Sequence, residues 1–199
     1  MQNVIKTLVV VCSLAFGSAQ AVTVGLDYAQ KDKVETTQEN TVIGLAVSNK
    51  IADGLAKGVT AEVRVEDEIV KGITPKKHEG LIQLKGSRDL YSFKAVVPVT
   101  LYGAGAVGLK SKVDNSFKYY LVAVGAKTTV AGVGLDLASR LRSPFGEGVN
   151  GTGPKYRTVE HSVSASYALS KVNTVSVKYA KERGDSNYNT VGLGIKHTF

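Results

Sequence analysis

The sequence predicts an all-β chain: an antiparallel up-and-down barrel of ten strands crossing a membrane, with eight strands as the alternative count. Three observations predict it. Apolar and polar residues alternate with a period of two along most of the chain after residue 22. The connections between alternating segments are long and polar in the odd places and mostly short in the even ones. The last residues alternate up to a terminal aromatic, Phe199. Successive side chains of a strand point to opposite faces, so in a barrel one set meets lipid and the other lines the lumen.

The 199 residues are 43% hydrophobic, 21% charged and 7% aromatic, with 21 Gly against 4 Pro. That balance excludes a disordered tail, a collagen and a helical membrane bundle, and the length suits one closed domain better than two. Lys6, an apolar run over residues 8–16 and then Ala19-Gln20-Ala21 read as a secretory signal peptide of residues 1–21. Ala19 and Ala21 are the small residues a signal peptidase needs. The run is shorter than the ~20 residues of a spanning helix, so the barrel domain is expected to be residues 22–199. Cys12, the only cysteine, lies in the leader, which removes thiol chemistry and disulfides from the domain. Val11 before it and apolar residues after it argue against a lipoprotein site. The net charge of +8 would suit a nucleic-acid binder, but export argues against nucleic acid as a partner.

The first element runs from Thr23, with Val24, Leu26 and Tyr28 on one side and Thr23, Gly25 and Asp27 on the other. In residues 41–48, Thr41, Ile43, Leu45 and Val47 oppose Val42, Gly44, Ala46 and Ser48. In residues 59–66, Val59, Ala61, Val63 and Val65 oppose Thr60, Glu62, Arg64 and Glu66. Further strands are expected at 81–95, 99–110, 117–124, 130–140, 158–169, 173–181 and 187–199. The odd connections are polar loops, 31–40, 67–79, 111–116, 141–157 and 182–186. The even ones, 49–58, 96–98, 125–129 and 170–172, are tighter apart from the first. Long loops at one end and short turns at the other is the transmembrane-barrel arrangement, and an even count returns both termini to the periplasmic side. Within 80–109, Gly86, Asp89 and Pro98 are candidate bulge or turn positions. A soluble sandwich also alternates, with a charged outer face. Here the non-apolar face is rich in Gly, Ala, Ser and Thr, which suit the crowded inside of a narrow barrel.

The ending Asn189-Thr-Val-Gly-Leu-Gly-Ile-Lys-His-Thr-Phe199 places Val191, Leu193, Ile195, His197 and Phe199 on one face. It resembles the C-terminal insertion signal of Gram-negative outer-membrane β-barrels, with His197 standing where such signals usually carry Tyr or another hydrophobic residue. Together with the signal peptide, the domain resembles small OmpA/OmpX-like and porin-family barrels in architecture. The resemblance implies an outer-membrane location in a Gram-negative bacterium. It also implies contact with outer-membrane lipid and lipopolysaccharide, and recognition by the barrel assembly machinery during insertion.

Gly103-Ala-Gly105-Ala-Val-Gly108 matches a dinucleotide fingerprint, and with Leu109, Lys110 and Ser111 it approximates a phosphate loop with one residue too many. No amphipathic helix follows to hold a pyrophosphate, so glycines in a curved strand explain the motif, and no nucleotide or other cofactor is expected. Outer-membrane lipid A deacylases and phospholipases of this size resemble each other in placing a His and a Ser two residues apart on one strand. In His161-Ser162-Val163-Ser164 the histidine shares its face with Val163, away from both serines. Barrel proteases need acidic and His-Asp pairs at the outer rim. His78, beside Glu79 and across a hairpin from Asp67 and Glu68, reads instead as a solvated charge cluster. With three histidines and no cysteine left in the domain, a dedicated transition-metal site is not expected, and the expectation is that the protein is not an enzyme.

With the apolar face toward lipid, the lumen receives Asp27, Glu62, Glu66, Asp136 and Glu160, and Arg64, Lys110, Arg140, Lys178 and Lys196. Charges at membrane depth must pair or stay wet. Arg64 is expected between Glu62 and Glu66, roughly 7 Å from each along its strand, with Lys110 or Lys178 as cross-strand recruits. Such a network either plugs the barrel or lets ions pass slowly. The loops carry Lys71, Lys76, Lys77, Lys112, Arg142, Lys155, Arg157 and Arg183, suited to lipopolysaccharide phosphates. The Gly-rich loop of residues 143–154 is long enough to constrict or to make contacts. These features point to a passive barrel, a narrow porin-like pore or a membrane-structural protein. A surface adhesin acting through its loops and an outer-membrane hydrolase are the alternatives.

Overall fold

The computed structural model describes residues 22–199 apart from 35, 37, 52–56, 72–76, 95, 112–115 and 146–155. Residues 1–21, expected as the signal peptide with Ala19 and Ala21, the lysines Lys76, Lys112 and Lys155, and most of the Gly-rich stretch lie outside the described residues.

Ten strands follow one another: β1 (Thr23–Lys33), β2 (Glu39–Lys50), β3 (Val59–Val70), β4 (Lys77–Lys94), β5 (Pro98–Ser111), β6 (Ser116–Val130), β7 (Val133–Pro144), β8 (Thr158–Ala168), β9 (Asn173–Gly184) and β10 (Tyr188–Thr198). Each is antiparallel to the next, and β10 pairs with β1 to close the barrel. Closure leaves no sheet edge, so the wall satisfies its own backbone hydrogen bonds where no water reaches. No described helix is long and apolar enough to cross a membrane; the crossing is made by strands.

Alternation sets the two faces. One outward row runs Leu26, Leu45, Val65, Ile82 and Leu109, each directly opposite the next. Leu26, Ile82, Leu109, Val122, Leu137, Val163, Val177 and Leu193 are all exposed, which is the belt a bilayer covers. Exposed aromatics edge this belt at both ends: Tyr28 and Tyr179 toward the loops, and Tyr91, Phe93, Tyr167 and Phe199 toward the termini. In β10, Val191, Leu193 and Ile195 are exposed on the outer face. His197 Nδ1 lies 2.8 Å from the Asn173 side-chain oxygen, and its ring sits edge-on to Phe199 at 4.4 Å between centroids. The Phe199 amide donates to Val22 O at 3.0 Å, tying the chain end to the start of β1.

The strands outrun their sequence signal at the loop end. Residues 31–33, 67–70, 77–79 and 141–144, expected in loops, belong to β1, β3, β4 and β7. Above the lipid belt both faces turn polar, so the period-two contrast fades while the hydrogen-bond ladder continues. Residues 125–129, expected as a turn, belong to β6. The turn is Ala131-Gly132, both at positive φ (49° and 80°) between the paired Val130 and Val133, as a two-residue hairpin requires. Of the candidate irregularities in 80–109, the register shifts between Asp89 and Tyr91, Pro98 opens β5, and Gly86 lies in regular strand.

Candidate functional site in the barrel lumen

The inward faces enclose a cavity of about 360 Å³, and Asp27, Glu62, Arg64, Glu66, Lys110, Asp136, Arg140, Glu160, Lys178 and Lys196 all line it. They form separate groups rather than one chain of charges. Arg64 on β3 bridges Asp27 on β1, at 2.8 Å, and Glu66 on its own strand, at 2.6 Å. To reach β1 the guanidinium lies across β2 at Gly44, where a Cβ would stand 2.9 Å from its terminal nitrogen. Across the lumen, Arg140 on β7 and Lys178 on β9 both bond Glu160 on β8, the lysine at 2.8 Å. Asp136 accepts from the Tyr102 hydroxyl at 2.9 Å. Glu62 and Lys196 line the cavity with no ion pair among the described residues.

A denser cluster roofs the cavity at the loop end. Glu68 on β3 accepts from Lys110 and from Asn40 Nδ2, both at 2.8 Å, and from Lys31 at 3.3 Å, while Lys110 also reaches Glu79 at 3.2 Å. Beside it, Tyr156 ahead of β8 folds inward against Phe117 and Tyr119, with ring centroids 4.7 and 5.6 Å away. Arg142 donates to the Tyr156 hydroxyl at 2.8 Å and pairs with Glu182 at 3.5 Å. Leu81, Phe117, Tyr119 and Tyr156 are all buried.

Arg142, expected in a solvent-facing loop, is therefore a lumen residue: β7 continues through it, and even-numbered positions of that strand point inward. Lys31, Glu68, Glu79 and Glu182 are hidden in the same way, in strand extensions with a loop-like composition, and Tyr156 in the connection ahead of β8. Arg157 and Arg183 are exposed, as is Lys71, which reaches Glu39 at 3.7 Å.

Two pairings had a legible signal. Gly108 lies directly opposite Tyr119, and Tyr102 directly opposite Gly125. Each ring occupies the space a Cβ would take on its glycine, and the Tyr119 hydroxyl donates to Gln83, 2.9 Å away. Gly108→Val is expected to abolish barrel assembly or leave an opened roof. Its Cβ would meet the Tyr119 ring at 2.5 Å and the fixed Ile82 carbonyl at 2.7 Å. The yield of heat-modifiable barrel on unboiled gels checks this; a wild-type yield would contradict the close packing.

β5 runs unbroken through Gly103, Gly105 and Gly108, and a Cβ on the outward Gly103 would stand 3.3 Å from Leu90. Its amides are committed to the ladder, so the glycine motif offers no phosphate loop. His161 is exposed on the outer face, while Ser162 and Ser164 line the cavity. His78 and Asp67 lie on strands, and His78 Nδ1 is 3.2 Å from both carboxylate oxygens at the exposed rim. No group of three metal-ligating side chains occurs among the described residues.

No protein-family model matches the chain, and no curated protein matches it by sequence. Solved structures do. The chain is similar to an outer membrane channel from Pseudomonas putida F1, with TM-score 0.58 at 10% identity over 92% of this chain and 98% of that one. It is similar to the translocator domain of the autotransporter NalP from Neisseria meningitidis, with TM-score 0.54 at 9% identity over 100% and 96%. It is also similar to the beta domain of a Bordetella autotransporter, with TM-score 0.51 at 13% identity over 90% and 99%. At such identities the likeness shows the fold, and the fold is that of outer-membrane β-barrels.

Proposed function

We propose that the chain is an integral outer-membrane barrel of a Gram-negative bacterium with a passive role. It acts as a narrow pore for small ions, held nearly shut by its own side chains at the loop end. The observation that carries this reading is the pairing of an apolar outer belt with a charge-lined cavity of about 360 Å³ roofed by Glu68, Lys110, Arg142 and Tyr156. An inert plug would be expected to fill the barrel along its depth, as small cores do. Here the packing is concentrated at the roof, while Glu62 and Lys196 line open space below it. Charges of both signs line the wall, so the pore selects weakly by sign. The similarity to an outer membrane channel supports the reading at the level of fold, and no catalytic step enters it.

Planar-bilayer recordings test it. The wild type is expected to show small, infrequent openings. Tyr156→Ala, which removes the inward ring and the acceptor of Arg142, is expected to raise conductance several-fold. Silent traces from both proteins would replace the pore with a membrane-structural barrel, and recovery as a soluble periplasmic protein would remove the membrane reading altogether.

A further inference from the structure

We infer that the lipid-facing wall of β8 to β10 carries a site for a phosphorylated glycolipid of the outer leaflet, built from His161, Lys181 and Arg183. This rests on the outer-membrane reading above and adds a specific ligand to it. The three residues share the outer face of adjoining strands. His161 pairs directly with Lys181, Val159 with Arg183, and Lys181 with Asn189 on β10. His161, Lys181 and Arg183 are exposed, and the same strands expose Val163, Val177, Tyr179 and Val191 toward the termini. Acyl chains would lie against those apolar residues.

Depth follows from Tyr179. Exposed tyrosines at the edge of the belt sit at headgroup level, and Lys181 Nζ rests 6.0 Å from the Tyr179 ring centre. Lys181 and Arg183 stand two and four residues farther toward the loops, about 7 and 13 Å along the strand. That is where headgroup phosphates lie. Arg183 is also held in place: its Nη1 donates to Glu182 O at 2.7 Å and Tyr188 O at 3.2 Å, and its Nη2 to the Asn189 side-chain oxygen at 3.2 Å. Two of its five N–H donors remain for an anion.

The surrounding carboxylates leave this face basic. Glu160 and Glu182 are buried on the lumen side of the sheet, and Asp185 accepts from the Arg157 amide at 2.7 Å. The outward acids Asp32, Glu39 and Asp67 cluster on β1 to β3, Glu39 beside Lys71 at 3.7 Å and Asp67 beside His78 at 3.2 Å, so this side of the rim is less basic than β8–β9. The rim is thus polarised, and the glycolipid is directed to β8–β9 by charge-assisted hydrogen bonds.

The test uses the full barrel in phosphatidylcholine vesicles and follows the temperature at which its compact gel form is lost. Bisphosphorylated lipid A is expected to raise that temperature, dephosphorylated lipid A and inorganic phosphate are not, and Lys181→Gln with Arg183→Gln should weaken the effect about ten-fold or more. Lys118→Gln, at an exposed site on β6, should leave it unchanged. Equal protection by dephosphorylated lipid or by free phosphate would overturn the site, as would full protection of the double variant. Should that variant fail to fold, the lipid comparison on the wild type decides alone. A compact wild-type barrel that ignores lipid A would sink the site while leaving the outer-membrane reading intact.

Discussion

Glu68→Ala is expected to destabilise the barrel by about 3 kcal/mol, the lower end of what breaking a buried ion pair costs. Its side chain is 7% exposed and that of Lys110 5%, so water can do little to replace the lost carboxylate. Lys110 keeps Glu79 at 3.2 Å, which is why the lower end applies; Lys31 and the Asn40 amide lose their acceptor outright. Glu68→Gln preserves an acceptor for Asn40 and is expected to cost less. Urea unfolding in micelles measures both, and bilayer recordings should show the alanine variant more conductive, because the unopposed Lys31 would hydrate the roof. Wild-type stability in Glu68→Ala would mean that the roof contributes no structural support.

Val63→Arg is expected to obstruct insertion at about 2 to 4 kcal/mol, the cost of a lipid-facing arginine near the midplane. Val63 lies on the outer face of β3, paired with Val47 and Leu84 and packed in the cluster around buried Val47. Its neighbour Arg64 faces the lumen with a side chain 25% exposed. Arg64→Ala should therefore still insert, with a smaller loss of stability because the freed Asp27 and Glu66 border hydrated space, and with higher cation conductance. Folding yields in liposomes of the two variants, measured side by side, check the assignment of faces. A harmless Val63→Arg beside a non-inserting Arg64→Ala would reverse it.

Residues 59–66 show why so much of the architecture was legible. Where one face meets lipid and the other water, each side chain is constrained by the face it occupies, and Val63 and Arg64 declare their directions without any knowledge of neighbours. The same contrast marks ten strands and the terminal run from Val191 to Phe199. At the loop end the contrast disappears. Arg142 and Glu68 carry the composition of loops, and only the continuing ladder places them inward.

Partners were less legible still. Arg64 takes Asp27 from β1 across Gly44 while Glu62, on its own strand, makes no ion pair among the described residues. Lys110 and Lys178, the bases expected to join Glu62 and Glu66 from across the strands, are held by Glu68 with Glu79 and by Glu160. A local period is enough to read the fold class, ten strands ahead of eight, and the face of each charge inside the alternating segments. Tertiary structure decided which charges meet and where the lumen is roofed. Those depend on the register between strands and on the stagger with which the barrel closes, and neither is written in any one strand.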